Sequence, residues 1–307
     1  MVRIFVVGSL NMDVVLAPHR FPRKGETLPV PDVSFHPGGK GGNAAVAAAR
    51  CGARVSFVGV VGDDPFGRRL LESLRAESID ARAVRLDPRV ATGCAIIFVD
   101  RRSGENRIMV SWGANARLSA AQVRAARSRI ARAAAVLLSF ETPPQAISAA
   151  CRIARSKGIL TVLDAGPVRA ADLKLLPLID VVSPNESEAA ALTGLPLRGP
   201  RDAVAAARRL IKAGAREVVM KLGEKGSLWT DGKNVLSAPA FRIKPVDTTG
   251  AGDAFTGAFA VARAKRLPVE QALRYANAAG ALACLVPGAQ PSMPTDDAVR
   301  RFLRAHS

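Results

Sequence analysis

Asp253 directly follows a cluster of small residues in the segment VDTTGAGDAF, residues 246–255. An apolar stretch comes next and predicts a helix, so the N–H groups of Gly250, Ala251 and Gly252 would lie at the positive end of a helix dipole. Such groups stabilise a phosphoryl group and the charge that develops on it. An acid in the first turn also stabilises the dipole by about 0.3–1 kcal/mol. Taken alone, the segment predicts either a helix start or a phosphate cradle with a base beside it.

A second glycine cluster, PGGKGGNAAVAAAR, covers residues 37–50. Its glycines, Gly39 among them, let the backbone approach a ligand closely. Asn43 stands at the head of a predicted alanine-rich helix, where it would act as an N-cap. No Ser or Thr follows Lys40, so the segment is not a P-loop. Capping by Asn43 and contacts from Lys40 to ligand hydroxyls are both compatible with this pattern.

Two pairs of polar residues follow predicted strands. Asn11 and Asp13 stand two apart, which puts both side chains on one face of an extended segment. A carboxamide beside a carboxylate suits the paired hydroxyls of a polyol, although both residue types are also common in turns. Asn185 and Glu188 stand three apart at a predicted helix start. They fit a capping box and also a site that organises the water ligands of Mg²⁺.

The elements that must position these residues alternate along the chain. Short apolar runs without polar alternation predict strands buried on both faces, in RIFVVG, RVSFVGVVG, AAVLLSF, GILTVLDAG, LIDVVSPN and REVVMKLG. Helical stretches separate them, in NAAVAAARCGA, PFGRRLLESLRAES, PQAISAACRIARSKG, SEAAALTG and RDAVAAARRLIKAGA. This alternation predicts an α/β fold with a mainly parallel central sheet and helices on both faces.

Two segments depart from the alternation. ATGCAIIFVDRRSGENRIMVSW contains two strand-like runs around RRSGE and predicts a hairpin, and GETLPVPDVSFHPGG is a second extended stretch. We expect these pieces to form a small sheet over the carboxyl ends of the main strands, where open α/β folds bind ligands. Such a sheet would act as a lid.

Composition excludes several classes of protein. Apolar residues make up 49% and charged residues 23% of the 307 residues, and no run reaches the roughly 18 apolar residues of a membrane span. The start, MVRIFVVGSL, predicts a first strand and not a signal peptide. The four cysteines and three histidines stand isolated, so we expect reduced thiols in a cytoplasm and no zinc site.

The net charge of +18 raises the question of nucleic-acid binding. The arginines are spread along helical stretches where they alternate with alanine, and Phe, Trp and Tyr together make up only 5%. Nucleic-acid domains concentrate positive charge on one element and place aromatic residues for stacking. We therefore expect no nucleic-acid partner, although the charge would help to attract anionic substrates.

Taken together, the motifs resemble those of the PfkB carbohydrate kinase family, in its ribokinase branch. PGGKGGN is similar to the family's motif near the amino terminus, and DTTGAGD is similar to its motif near the carboxyl terminus. GSLNMD, TGCAIIFVD, WGANARLS, SFETP, SPNESEA, MKLGEKG and GAQPSMP resemble their counterparts in the same order. The resemblance covers essentially the whole chain. It implies one kinase domain over residues 1–307, with a three-layer αβα fold and a lid formed by parts of 11–36 and 91–113.

The resemblance also assigns roles to individual residues. Asp253 matches the base that takes the proton of a sugar hydroxyl as it attacks the γ-phosphate of ATP, and the amides of Gly250, Ala251 and Gly252 match the anion hole. The positions that match sugar-binding residues are Asn11, Asp13, Gly39, Lys40, Asn43, Glu141 and Asp253. Those that match residues around the nucleotide and its Mg²⁺ are Asn185, Glu188, Lys221, Gly223, Gly226, Gly252 and Asn277.

A monovalent cation, usually K⁺, activates the ribokinase branch beside the anion hole. The matching positions are Asp247, Thr249, Ala283, Val286, Gly288 and Ser292. The resemblance further implies a homodimer formed through the lid sheet, whose exposed strand would pair with its copy.

The sequence departs from the usual pattern of the branch in four places. Lys221 stands where a Thr is frequent and Asn277 where a His is familiar. GGKGGNAA replaces GGKGANQA, and SWGAN, with Trp112, replaces HAGAN. The expected reaction is phosphorylation of the primary hydroxyl of a sugar, with D-ribose favoured. Deoxyribose, a nucleoside, fructose and 2-keto-3-deoxygluconate are alternative substrates, and a non-catalytic basic binding protein is the alternative from another class.

Overall fold

The structure is a computed structural model that describes residues 1–16, 18, 20–99 and 106–306. Its strands are β1 (Arg3–Val7), β2 (Asn11–Leu16), β3 (Val33–Gly38), β4 (Arg54–Gly62), β5 (Asp80–Asp87), β6 (Gly93–Val99), β7 (Asn106–Ser111), β8 (Ala135–Ser139), β9 (Leu160–Asp164), β10 (Val181–Ser183), β11 (Glu217–Lys221), β12 (Ser227–Thr230) and β13 (Val235–Ala238).

The helices are α1 (Lys40–Arg50), α2 (Pro65–Ala76), α3 (Ala120–Ala125), α4 (Arg127–Ile130), α5 (Pro144–Arg155), α6 (Glu186–Thr193), α7 (Pro200–Lys212), α8 (Ala251–Ala264), α9 (Val269–Ala283), α10 (Ala289–Ser292) and α11 (Asp296–Ala305). The helices α1 to α7 lie between strands along the chain, and α8 to α11 follow the last strand. In the described ranges none of them is long and apolar enough to cross a membrane.

The apolar runs form one nine-stranded sheet in the order β13-β12-β11-β10-β9-β8-β1-β4-β5. The seven strands from β11 to β5 in this order pair in parallel, and β12 and β13 add an antiparallel edge. The six runs predicted as buried strands are β1, β4, β8, β9, β10 and β11. The prediction of a mainly parallel α/β sheet is therefore confirmed.

Alternate residues of β1 show why helices cover both faces of this sheet. Ile4 and Val6 pack into one buried core together with residues of α1, α8 and α9, whereas Phe5 and Val7 pack into a second core with residues of α5 and α7. Successive side chains of a strand point to opposite faces, so an apolar strand needs a cover on each. The result is the predicted three-layer αβα arrangement.

A separate four-stranded sheet has the order β3-β2-β6-β7. The strands β6 and β7 are antiparallel, which confirms the predicted hairpin, and its RRSGE loop at 101–105 lies outside the described residues. The second extended segment supplies β3, which pairs with β2. The small sheet is thus present, and its function as the lid of one kinase domain stays a proposal.

The predicted helix start at Asn43 is wrong. Helix α1 begins at Lys40 with Gly39 as its N-cap, so Asn43 lies inside the first turn. The Gly42 N–H donates to Ser9 O at 3.0 Å, which holds the glycines against the chain that follows β1. Tertiary packing here overrides the low helix propensity of glycine. Asn43 therefore does not cap the helix, and its side chain is free to contact residues outside α1.

Candidate active site

Residues of the candidate site, some predicted from the sequence and some not, converge at the carboxyl ends of the parallel strands. Ser9 follows β1, Glu141 follows β8, Asp164 ends β9, Asn185 follows β10 and Lys221 ends β11. These five strands are neighbours in the central sheet. Because carboxyl ends of parallel strands share one edge, residues distant in sequence meet there.

A cavity of about 490 Å³ opens at this edge. Its lining comes from both glycine motifs and from two of the intervening loops, and comprises Lys40, Asn185, Glu186, Ser187, Lys221, Gly223, Gly250, Gly252 and Asp253. A volume of this size is typical of small-molecule sites.

The GAGD segment forms the amino terminus of α8. Gly250 is its N-cap with φ 77°, a left-handed conformation that favours glycine, and a Cβ there would lie 3.0 Å from the Cα of Ala289. The Ala251 N–H donates to Thr248 O at 3.2 Å. Within the described ranges the N–H groups of Gly252 and Asp253 have no hydrogen-bond acceptor. Two free amides beside a cavity can bind an anion.

The carboxyl group of Asp253 is buried beside these amides, with 7% of the residue exposed. Its Oδ2 accepts a hydrogen bond of 2.8 Å from Asn43 Nδ2, and its Oδ1 lies 3.7 Å from Lys40 Nζ. Burial raises the pKa of Asp253, and the positive charge of Lys40 opposes this rise. A carboxylate with a raised pKa is a stronger proton acceptor than an exposed one.

Asp164 connects two lysines in the floor of the cavity. Its Oδ1 lies 2.8 Å from Lys40 Nζ and its Oδ2 lies 2.5 Å from Lys221 Nζ. Thr256 Oγ1 lies 3.1 Å from the same Oδ2. Burial alone would raise the pKa of Asp164, but the two lysines outweigh it and hold this pKa well below its usual range. The buried charges are therefore paired, as such charges must be.

The other side of the site carries the residues predicted to bind hydroxyls. Asn11 Oδ1 accepts a hydrogen bond of 2.7 Å from Asn115 Nδ2, and both residues are buried. Asp13 is 8% exposed, and a Cβ at Gly38 would lie 2.1 Å from Asp13 Oδ2. Any side chain at position 38 would clash with the carboxylate of Asp13, so glycine is required there. Burial raises the pKa of Asp13 to about 7, with the charges of Glu141 and Asp253 as further causes.

Glu141 fastens the loop that precedes α1. Its Oε2 accepts hydrogen bonds from Ser9 Oγ and, at 2.9 Å, from Lys40 N. The carboxyl group is buried, which raises its pKa. Glu141 thereby holds Lys40 and the adjacent N-cap, Gly39, in place.

Asn185 and Glu188 form a complete capping box at the start of α6. The Glu188 N–H donates to Asn185 Oδ1 at 2.8 Å and the Asn185 N–H donates to Glu188 Oε2 at 2.8 Å. The second carboxylate oxygen, Oε1, lies 3.6 Å from Lys40 Nζ. The predicted capping box is therefore present, and the second carboxylate oxygen of Glu188 still faces Lys40.

Three of the residues assigned to the nucleotide, Glu188, Gly226 and Asn277, are not part of the cavity lining. Asn277 Nδ2 donates to Ala238 O at 3.0 Å and to Pro239 O at 3.1 Å. Gly226 lies in the turn between β11 and β12, where its carbonyl accepts from Leu222 N at 2.8 Å. Asn277 and Gly226 support the segments around the cavity. Gly223 and Lys221 line it.

The residues predicted to surround a monovalent cation come together beside α8. Asp247 Oδ1 accepts from Thr249 N at 2.9 Å and its Oδ2 accepts from Gly288 N at 2.8 Å. These bonds outweigh the effect of burial and lower the pKa of Asp247. In the same loop Val286 N donates to Ala283 O at 3.4 Å and Ser292 Oγ donates to Ala289 O at 2.8 Å. The result is a persistent negative charge between two loop segments.

The donor set bears on which metal would fit. The described ranges contain no group of three or more His, Cys, Asp or Glu side chains able to hold a metal ion. Mg²⁺ keeps several waters and is usually held by one or two carboxylates and by phosphate oxygens of a substrate. The carboxylate of Asp253 lines the cavity and that of Glu188 lies near Lys40, so the two suit this water-mediated mode of Mg²⁺ binding better than a cage made only of protein ligands.

Sequence reasoning missed Asp164, Asn115 and Thr256. Asp164 ends the predicted strand GILTVLDAG, and an acid at the carboxyl end of a buried strand is a recognisable pattern. Asn115 lies in WGANARLS, a segment that resembles its family counterpart but has no chemical pattern of its own. Thr256 follows Asp253 within α8, and its position alone predicts nothing.

Comparisons with known proteins agree with this geometry. The model of the pfkB family carbohydrate kinases matches residues 1–296. The chain is 36% identical to a ribokinase of Haemophilus influenzae over 298 residues, covering 97% of each chain. It is 34% identical to a deoxyribokinase of Salmonella typhimurium over 301 residues, covering 98% of each chain.

A solved structure resembles the whole fold. The structure of Arabidopsis thaliana ribokinase complexed with ribose and ATP superposes with a TM-score of 0.91 at 33% identity, covering 99% of both chains. The family match spans nearly the full length, and the two glycine motifs, 210 residues apart at Asn43 and Asp253, meet in one site. The chain belongs to the PfkB family of carbohydrate kinases.

Proposed function

We propose that the protein transfers the γ-phosphoryl group of ATP to the primary hydroxyl of D-ribose, giving D-ribose 5-phosphate. One observation carries this proposal: the buried carboxylate of Asp253 lies beside free amides at the start of α8 and faces a cavity of about 490 Å³. Family membership and the similarity to two ribokinases support the reaction class and the sugar.

Asp253 acts as the base in this proposal. Its carboxylate accepts the proton of the attacking hydroxyl, and the hydrogen bond from Asn43 fixes the carboxylate in place. The amides of Gly252 and Asp253 then donate to the oxygens of the transferred phosphoryl group, where negative charge grows. Ala251 contributes less, because Thr248 O already accepts its N–H.

Two lysines supply positive charge on the phosphate side. Lys40 and Lys221 are both held by Asp164, so neither has to be ordered when the nucleotide binds. Asn185, Glu188 and Gly223 complete the nucleotide side of the cavity, and Gly226 and Asn277 support it from behind. Bound Mg²⁺ would neutralise phosphate charge, and Glu188 with Asp253 would hold it through water.

The sugar lies against β2 and the start of α1 in this proposal. The carboxylate of Asp13 accepts hydrogen bonds from ring hydroxyls, and the side-chain amides of Asn11 and Asn43 offer both donors and acceptors to them. Asn43 Oδ1 is buried with no partner within the described part of the chain, so it is an unused acceptor for a hydroxyl. Gly39 and Glu141 hold this loop in place.

K⁺ activates the enzyme in this proposal, at the loop pair joined by Asp247. The lasting negative charge of this carboxylate and the carbonyls of Thr249, Ala283, Val286 and Gly288, with Ser292, would hold a weakly hydrated cation. Occupancy would fix the turn that precedes α8. We further propose a homodimer formed through the small sheet and action in the cytoplasm, where ATP is supplied.

The test is a coupled assay of ADP release with ribose, deoxyribose, fructose and nucleosides. We expect the largest kcat/KM for ribose. Deoxyribose is the second candidate, because a deoxyribokinase is 34% identical to this chain. A site built to bond a hydroxyl rejects the analogue that lacks it by a large factor. A nucleoside or deoxyribose preferred by tenfold or more in kcat/KM would refute the assignment to ribose.

A further inference from the structure

A second cavity, of about 270 Å³, opens at the opposite end of the central sheet. Arg3, Arg54 and Asp80 line it, and these are the first residues of β1, β4 and β5. The candidate active site lies at the carboxyl ends of the parallel strands, so the whole length of the sheet separates the two cavities. Buried Ile4 and Phe5 contribute to the lining together with the half-buried Ser56.

The lining of this cavity is strongly basic. Five arginines face one acid, and the six residues are Arg3, Arg54, Arg82, Arg129, Arg132 and Asp80. Asp80 is already engaged by one of them: Arg82 donates to its Oδ1 at 2.9 Å and to its Oδ2 at 2.8 Å. This pairing is the main reason that the pKa of Asp80 falls to about 2. The acid therefore neutralises one arginine, and four positive charges remain.

These four arginines are Arg3, Arg54, Arg129 and Arg132. Among the described residues their side chains form no direct hydrogen bond or ion pair, although the charge of Arg129 helps to lower the pKa of Asp80. Arg50, in contrast, pairs with Glu77. Like charges gathered around one concave surface repel each other, and an anion bound there would remove that repulsion.

The cluster is not a run of charge along the chain. Its members come from the amino end of β1, the start of β4 and the region of α4, and main-chain hydrogen bonds fix these segments to each other. The Arg54 N–H donates to Val2 O at 2.8 Å, and the Ala134 N–H donates to Arg3 O at 2.8 Å. The fold itself therefore brings the guanidinium groups to one place.

We propose that this cavity binds a small phosphorylated metabolite with at least two negative charges. Guanidinium groups bond phosphate oxygens in pairs, and several of them select a ligand with more than one anionic group. A volume of about 270 Å³ is just below the usual range of roughly 300–1,000 Å³ for drug-sized ligands. The occupant is therefore the size of a sugar phosphate or a diphosphate. The site is separate from the reacting groups, so its ligand does not compete with ATP or the sugar.

The test uses inorganic pyrophosphate as the probe and isothermal titration calorimetry as the measurement. We compare the unmodified protein with R54Q/R129Q. The matched control is R208Q/R209Q, which removes the same two charges from exposed positions of α7, outside the cavity. We expect pyrophosphate to bind the unmodified protein and the control within twofold of each other, and to bind R54Q/R129Q at least tenfold more weakly.

The design separates this site from the active site. If pyrophosphate binds only at the active site, its affinity will be the same for all three proteins, and that outcome overturns the proposal. Absence of binding to the unmodified protein also overturns it. Kinase activity without pyrophosphate should be unchanged in R54Q/R129Q, which confirms that it is folded. If R54Q/R129Q does not fold, R3Q/R132Q should bind pyrophosphate at least tenfold more weakly than the unmodified protein. Unchanged affinity in R3Q/R132Q would also overturn the proposal.

Discussion

Asn43 Nδ2 donates a hydrogen bond of 2.8 Å to Oδ2 of Asp253, although 210 positions separate these residues along the chain. The bond joins the first turn of α1 to the first turn of α8. The two helices also pack closely, because a Cβ at Gly257 would lie 2.8 Å from Ala44 O. The sugar side and the phosphate side of the candidate site are therefore parts of one rigid helix pair.

Asp253→Asn should lower kcat by about 10²- to 10⁴-fold, because the amide cannot accept the proton of the attacking hydroxyl. The amide is nearly isosteric, so sugar affinity should change little. Steady-state kinetics measures the first effect and calorimetry with ribose the second. Near-normal turnover in D253N would remove Asp253 from the mechanism, and loss of ribose binding would show that the substitution disturbs the pocket.

Replacing K⁺ by Na⁺ or a bulky organic cation should lower kcat, because the loops joined by Asp247 would lose their cation. Asp247→Asn should lower activity in K⁺ and abolish the difference between the cations. Asp231→Asn is the matched control, since Asp231 also accepts main-chain N–H groups in a turn but lies outside the site. A chain indifferent to the cation, or a D247N variant that still distinguishes K⁺ from Na⁺, would contradict the proposed cation site.

The small sheet should mediate dimer formation through β7, which is one of its edge strands. Ile108 and Met109 on β7 are 54% and 58% exposed, and an unpaired apolar edge favours pairing with a second copy. Light scattering at micromolar concentration should give a dimer for the unmodified protein and a monomer for I108K/M109K. V235K/L236K, on the edge strand β13, should remain a dimer. A monomer without any substitution would rule this interface out.

The sequence predicted the strands that are buried on both faces, because unbroken runs of Val, Ile and Leu between turn residues are typical of such strands. It did not predict β5, whose sequence DARAVRLD alternates charged and apolar residues at the sheet edge. It also placed the start of α1 three residues late. Local preferences predict a loop for GGKGG, but its last three residues, 40–42, are helical, and the bond from Gly42 N to Ser9 O holds them against the chain after β1.

The sequence predicted those parts of the candidate site that lie on one segment, as in GAGD. It was less informative where a residue acts through ion pairs with residues distant along the chain. Asp164 matters because Lys40 and Lys221 both reach it, from 124 and 57 positions away. No local pattern encodes a contact of that kind. Resemblance named both lysines, but it assigned them to ligands and not to a shared carboxylate.

Lys221→Met should weaken both folding and nucleotide binding. Asp164 loses Lys221, the more deeply buried of its two cationic partners, which lowers the free energy of unfolding by on the order of 3 kcal/mol. The KM for ATP should rise by about tenfold, because roughly 1.4 kcal/mol of interaction with phosphate is lost, and the KM for ribose should change little. Chemical denaturation and steady-state kinetics measure these effects.

Lys225→Met is the matched control for Lys221→Met. Lys225 lies four residues further along the chain, and its side chain is half exposed and pairs with Glu186 at 3.1 Å. An exposed pair contributes at most about 1 kcal/mol, so K225M should resemble the unmodified protein. If K221M and K225M are equally stable and have the same KM for ATP, the buried pair with Asp164 has neither proposed effect.

Ribose binding should tighten by about tenfold between pH 6 and pH 8, because one unit of pKa corresponds to about 1.4 kcal/mol. Burial raises the pKa of Asp13 to about 7, so this group is mostly protonated at pH 6 and mostly ionised at pH 8. The ionised form accepts stronger hydrogen bonds from hydroxyls. Calorimetry in the D253N background removes the titration of Asp253. It also removes one cause of the raised Asp13 pKa, so the pH dependence should move to lower pH there, and D13N/D253N should bind weakly with no dependence on pH. An equal pH dependence in both variants would show that another group titrates.

The same raised pKa predicts an effect on stability with the opposite sign. The pKa of Asp13 is higher in the folded chain than in the unfolded chain, so its protonation stabilises the fold at low pH. This contribution is fully present below about pH 4 and is lost as the pH rises through 7. Asp13→Asn should therefore raise the Tm of the sugar-free protein more at pH 8 than at pH 5. A lower Tm of D13N at pH 8 would show that ionised Asp13 stabilises the sugar-free fold. The carboxylate would then not destabilise the empty site, which contradicts this prediction.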